Sequence, residues 1–76
     1  GAKDKYMAAR ESVANNEEAY RYMEEKFKVG MATALELEES RNRLFSSRSD
    51  LVTSRYVFIF YPRILDFYSG KEIFLP

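Results

Sequence analysis

The chain contains no cysteine and no histidine. Without cysteine there is no disulfide and no thiolate metal site. Without histidine, the commonest catalytic base and the commonest metal ligand are both missing. There is no excess of either charge, because 12 basic and 12 acidic residues cancel. That argues against a general nucleic-acid binder, which carries a basic excess or stripe. Long apolar runs are also absent. The strongest, Tyr56 to Tyr61, is far too short to cross a bilayer as a helix. No signal-peptide pattern opens the chain, and Gly1 reads as a remnant on a segment cut from a longer protein. At 76 residues there is room for one small domain with little core. Glycine is scarce, and Gly30 is the only internal one before Gly70.

Two heptad seams fill the chain on either side of Gly30. Tyr6, Val13, Tyr20 and Phe27 recur every seven residues, with Ala9, Asn16 and Met23 three residues after the first three. Leu37, Leu44, Leu51, Phe58 and Leu65 form a second series, interleaved with Ser40, Ser47, Ser54, Tyr61 and Tyr68. Such a/d spacing defines helices that pack along a narrow apolar stripe. Folded back antiparallel, the seams layer Phe27 on Ser40, Met23 on Leu44 and Tyr20 on Ser47. Asn16 then meets Leu51, Val13 meets Ser54 and Ala9 meets Phe58. Most layers match a large residue with a small one and can interdigitate without voids. The expected fold is therefore all-α, an antiparallel helical hairpin of coiled-coil type. Its helices span about 3–29 and 33–69, with the tip turn at 29–33.

The flanks of the seam carry complementary charge. Glu17 and Glu24 lie beside the first seam, and Arg41, Arg48 and Arg55 lie beside the second. In an antiparallel pair these rows face each other, except that Arg10 faces Arg55 at the open end. Exposed pairs contribute only ~0.2–1 kcal/mol each, so they set register more than stability. Asn16 reads as a register-setting polar residue within the seam. The arginine row reads as a solvated, salt-bridged face rather than a ligand site.

Local chemistry accounts for the turn. Gly30 adopts positive φ cheaply and can end a helix as its C′ residue. Thr33, followed three residues later by Glu36, has the form of a capping box. Met31 and Ala32 are left at the apex. In the aromatic stretch after Tyr56, Pro62 removes a helix hydrogen bond at ~3 kcal/mol unless the helix bends, which predicts a kink. The residues of YVFIFY also favour a β-strand, but the heptad running through Phe58, Tyr61 and Leu65 favours a helix. Gly70 is expected to end that helix, leaving 71–76 as an extended tail. Seven of the aromatic residues lie from Tyr56 onward, and that greasy end expects cover from another surface.

The run MEEKFKVGMATALELEESRNRLF, Met23 to Phe45, resembles the TolC family of outer-membrane efflux proteins. The features that carry the likeness are Phe27-Lys28-Val29-Gly30, then Thr33-Ala34-Leu35-Glu36-Leu37. Arg43-Leu44, Leu51, Ser54-Arg55-Tyr56, Leu65 and Gly70 follow in matching order. The likeness covers roughly residues 6–70, a fraction of a family member's length. It implies a periplasmic tunnel helix pair from a trimeric channel of the Gram-negative outer membrane. On this likeness Val29, Gly30, Met31 and Ala32 form the tip that docks a periplasmic adaptor (membrane fusion) protein. Through the adaptor, the tip reaches an inner-membrane pump. Glu36 and Glu39 align with positions where some members ring the tunnel mouth with acid, which would favour cations. Some members latch the closed tip with a tyrosine and an arginine. Here Phe27 and Ala32 stand there and cannot make those polar bonds.

For Glu36 the capping-box role competes with the pore ring, and for Gly30 plain helix termination is compatible with docking. No catalytic residue, cofactor or metal is expected. Without His, Cys or a phosphate loop, Glu36, Glu38 and Glu39 do not converge on a site. A generic antiparallel coiled-coil interaction module, such as an adaptor hairpin or a cytosolic scaffold, is the alternative. A membrane-lying amphipathic helix fits poorly, because the polar faces are mixed in sign.

Overall fold

The computed structural model describes the backbone of residues 1–74 and the side chains of residues 1–61 and 63. Two helices, α1 (Ala2–Lys28) and α2 (Ala34–Phe74), pack against each other as a hairpin. The described residues include no strand, so YVFIFY is helical. Tyr6 stacks on Phe58 and Glu17 pairs with Arg48, so the helices run antiparallel. The result is a rod 71 Å long and only 17 by 13 Å across.

Among the described residues, the buried core lies along the seam. Val13, Ser40, Leu44 and Ser47 are buried. Tyr6, Ala9, Asn16, Tyr20 and Met23 on α1, and Leu37, Leu51, Ser54 and Phe58 on α2, are half-buried. Leu44, 4 % exposed, lies between two buried serines about one turn away on either side. Ser47 Oγ donates to the Leu44 carbonyl at 2.8 Å, so its hydroxyl is satisfied on its own helix. Because two helices cover each other from one side only, no described side chain is fully enclosed. Phe27 and Tyr61, at the two ends of the seam, remain exposed.

Four details differ from what the sequence suggests. Phe58 stacks on Tyr6, with ring centroids 5.4 Å apart and planes inclined by 12°. Ala9, its expected partner, offers only a methyl group, and a ring reaches a turn further to meet another ring. Asn16 donates to the Ser12 carbonyl at 2.9 Å and approaches Ser12 Oγ at 3.4 Å. Its amide is thus satisfied within α1, since the expected neighbour Leu51 has no polar side-chain group to offer. Arg41 pairs with Glu38 on its own helix at 3.7 Å rather than with Glu24, because an i,i+3 neighbour is already within reach. Glu17 and Arg48, at 3.4 Å, do pair across the helices.

The fourth difference concerns the end of α2. The helix runs unbroken through Pro62 and Gly70 to Phe74. The tail expected to be extended from Lys71 is therefore helical as far as Phe74, and the rest of that expectation lies outside the described residues. A single glycine costs a helix only ~1 kcal/mol, too little to stop one by itself. With 41 residues against 27, α2 overhangs the start of α1 by about 20 Å at 1.5 Å per residue.

Candidate functional site at the hairpin tip

Each helix end at the tip closes its own hydrogen bonds. The Met31 N–H donates to the Lys26 carbonyl at 2.8 Å, and the Gly30 N–H donates to the Phe27 carbonyl at 3.1 Å. This pair of bonds is a Schellman motif, with Gly30 as C′ and Met31 as C″. Gly30 takes φ +76°, in the left-handed region, where a Cβ is disfavoured. Nothing lies within 4 Å of where that Cβ would sit. The glycine is therefore required by backbone geometry and not by crowding within the hairpin, and its outer side is open to an approaching surface.

The next helix starts equally tightly. The Thr33 N–H donates to Glu36 Oε1 at 3.1 Å, and the Glu36 N–H donates to Thr33 Oγ1 at 3.0 Å. The Leu37 N–H reaches the Thr33 carbonyl at 3.1 Å. The expected capping box is complete. The backbone and hydroxyl bonds from Thr33 hold the Glu36 carboxyl below its ordinary pKa, and the charge on Lys26 adds to this.

These bonds fix the backbone and leave the apolar side chains free. Val29 is 70 % exposed and Met31 is 72 % exposed. Leu35, the second residue of α2, is 68 % exposed. Ala32 is half-buried. Val29, Gly30 and Met31 thus form an apolar apex to which Leu35 is added. Sequence reasoning passed over Leu35 because it lies off the a/d seam. The available signal was a large aliphatic residue in the first turn of a helix, at a position that the seam does not use.

The acidic candidates divide into separate local pairs. Glu36 is engaged by Thr33, Glu39 lies 4.0 Å from Arg43, and Glu38 pairs with Arg41. Among the described residues, no group of three or more acidic side chains is gathered as a metal site would need. Two cations near the tip lie over rings, Lys26 over Tyr22 at 5.5 Å and Arg41 over Phe45 at 5.5 Å. Such contacts contribute ~0.5–1 kcal/mol at exposed sites. Among the described residues, no helix is long and apolar enough to cross a membrane.

Comparison with known protein families, with curated proteins and with solved structures finds no match to this chain. What the tip can do is argued from its own chemistry. It has a rigid, closed backbone turn, an open glycine and three solvated apolar side chains. Such a surface binds by shape and apolar contact.

Proposed function

We propose that this hairpin is the periplasmic tip segment of a trimeric outer-membrane efflux or secretion channel. In this reading the two helices pack as a coiled coil within a longer α-helical tunnel, with α2 bending near Pro62. Val29, Gly30, Met31 and Ala32 dock a periplasmic adaptor protein, and through it the channel couples to an inner-membrane pump. The segment itself catalyses nothing, and energy comes from the pump.

The observation that carries the reading is the tip. A Schellman motif ending at Gly30 is followed at once by the Thr33–Glu36 capping box. Between them, Val29 and Met31 are held in water at 70 % and 72 % exposure. Solvating apolar side chains on a rigid apex costs free energy in the isolated protein, and a docking partner recovers it. The sequence around this apex is also the part that resembles the efflux family. The test is photo-crosslinking from Met31 in the full-length parent protein in cells, with capture of a periplasmic adaptor as the expected result.

Glu36 favours the cap over the tunnel-mouth ring, because both its carboxylate and its N–H are engaged by Thr33. Glu39, tied only loosely to Arg43 at 4.0 Å, is the better acid for that ring. The alternative is an antiparallel coiled-coil interaction module with no transport role. The long seam itself favours this second reading, since it needs no channel to explain it.

A further inference from the structure

One row of the seam keeps its seven-residue spacing straight through the turn. Ala9, Asn16 and Met23 on α1 and Leu37, Leu44, Leu51 and Phe58 on α2 form a single series, with Gly30 at the place between Met23 and Leu37. All of them except Gly30 are buried or half-buried. The other row, Tyr6, Val13, Tyr20 and Phe27, resumes at Ser40, one residue short of two heptads. A closed hairpin makes no use of this continuity, because its turn reverses the chain. A single helix running through the turn does use it. The short step in the second row is then a stammer, which overwinds a coiled coil locally without ending it.

The turn can open without losing a backbone bond. No proline stands between Lys28 and Ala34. In the closed turn the Met31 N–H donates to the Lys26 carbonyl and the Gly30 N–H to the Phe27 carbonyl. Continuing the helix only exchanges these two partners, because each N–H then takes the carbonyl four residues back. The Thr33 N–H leaves the Glu36 carboxylate for the Val29 carbonyl, and the Glu36 N–H leaves the Thr33 hydroxyl for the Ala32 carbonyl. What an opened chain loses is the packing of α1 on α2, and a second opened chain can return it. Phe27 and Met31, exposed at the closed tip, would meet a partner segment where two opened chains cross.

We propose that two copies of this chain exchange their first helices. Each straightens through residues 29–33, and the two long helices cross antiparallel, so that α1 of one copy packs on α2 of the other. The seam reforms between the copies layer by layer. Tyr6 stacks on Phe58 of the other copy and Glu17 pairs with its Arg48, as they do within one hairpin. The closed and exchanged forms therefore differ only at the hinge and in the entropy of association. A short hinge between closely pairing elements favours exchange, and rising concentration favours it further by mass action. Exchange also removes the apex, because Val29, Gly30 and Met31 become mid-helix residues. One molecule cannot at the same time be exchanged and present a docking tip.

The proposal concerns the chain alone and does not rest on the channel reading. It is tested on the 76-residue chain by sedimentation and small-angle X-ray scattering, from micromolar to millimolar concentration. The expected dimer is about 110 Å long, with Ala2 to Phe74 as one helix at 1.5 Å per residue. The closed hairpin is 71 Å long. Gly30→Ala disfavours the positive φ of the closed turn and favours a continuous helix. It should tighten dimerisation about tenfold or more. A flexible Gly-Ser segment inserted after Met31 relaxes the closed turn and interrupts the continuous helix, so that chain should stay monomeric. A wild-type chain that is monomeric at millimolar concentration overturns the proposal, and so does a Gly30→Ala chain that dimerises no more tightly. A dimer no longer than the hairpin, which would be two closed hairpins side by side, also overturns it, as does a dimer undiminished by the insertion. Failure of Met31 to capture an adaptor in the parent protein would count against the channel reading alone.

Discussion

Thr33 and Glu36 hold each other at the start of α2. The Thr33 N–H donates to the Glu36 carboxylate at 3.1 Å, and the Glu36 N–H donates to the Thr33 hydroxyl at 3.0 Å. Breaking this reciprocal pair should fray the tip before it affects the seam. Thr33→Ala is expected to destabilise the hairpin by about 1 kcal/mol, read by urea unfolding. Thr33→Ser, which keeps the hydroxyl, should lose only a small part of that. Equal losses in the two variants would mean that the cap does not stabilise the tip.

The same pair predicts a pH dependence of known sign. The Glu36 carboxyl is held below its ordinary pKa by the Thr33 bonds. Its contribution to stability is fully present above the unfolded-state pKa, about 4.3. It is lost as pH falls through the lower folded-state pKa, when the carboxylate is protonated and the folded state loses its advantage. Thermal melts of wild type and Glu36→Gln should therefore differ most at neutral pH and converge as the pH falls below about 4. A difference that does not change with pH would contradict the assignment.

Gly30 offers a separation of backbone strain from crowding. Its φ of +76° disfavours an L side chain, yet a Cβ there would meet nothing within 4 Å. Gly30→Ala should cost about 1–2 kcal/mol. A synthetic chain with D-alanine at the same place should be at least as stable as the wild type, because the D-residue prefers that region and finds open space. Comparison of the two melting temperatures is the check.

The seam makes opposite predictions at two neighbouring layers. Leu44 is buried at 4 % exposure, and Leu44→Ala should cost about 2–3 kcal/mol, at the lower end of the range for buried leucine because the site is thin and can collapse. Asn16 is half-buried but bonds only to Ser12 of its own helix. Asn16→Leu should therefore stabilise the hairpin by about 1 kcal/mol by adding apolar area to the seam. Denaturant midpoints of the two variants should move in opposite directions.

Much of this architecture was legible in the sequence, for reasons specific to helices. The seven-residue spacing that picks out Val13, Leu44 and the buried serines Ser40 and Ser47 is itself the packing geometry, so the core could be read off directly. The tip was legible because Gly30, Thr33 and Glu36 bond to residues within four positions of themselves. The rest depended on competition between neighbours. Arg41 pairs with Glu38 on its own helix instead of reaching across the seam. Gly70 lacked the strength to end α2, since one glycine is a small penalty in a long helix. Leu35, Phe45 and Val52 were overlooked because they lie off the seam, and only their exposure in the folded hairpin marks them out.

The measurement that tests the central claim most directly places a photo-crosslinker at Met31 of the full-length parent protein in cells. The account predicts an adduct with a periplasmic adaptor protein. The adduct should disappear when Gly30 is replaced by a bulky residue in a protein that remains folded and trimeric. Capture of cytosolic proteins alone, or no capture at Met31 while Tyr61 captures a soluble partner, would contradict the channel reading and leave the plain coiled-coil module in its place.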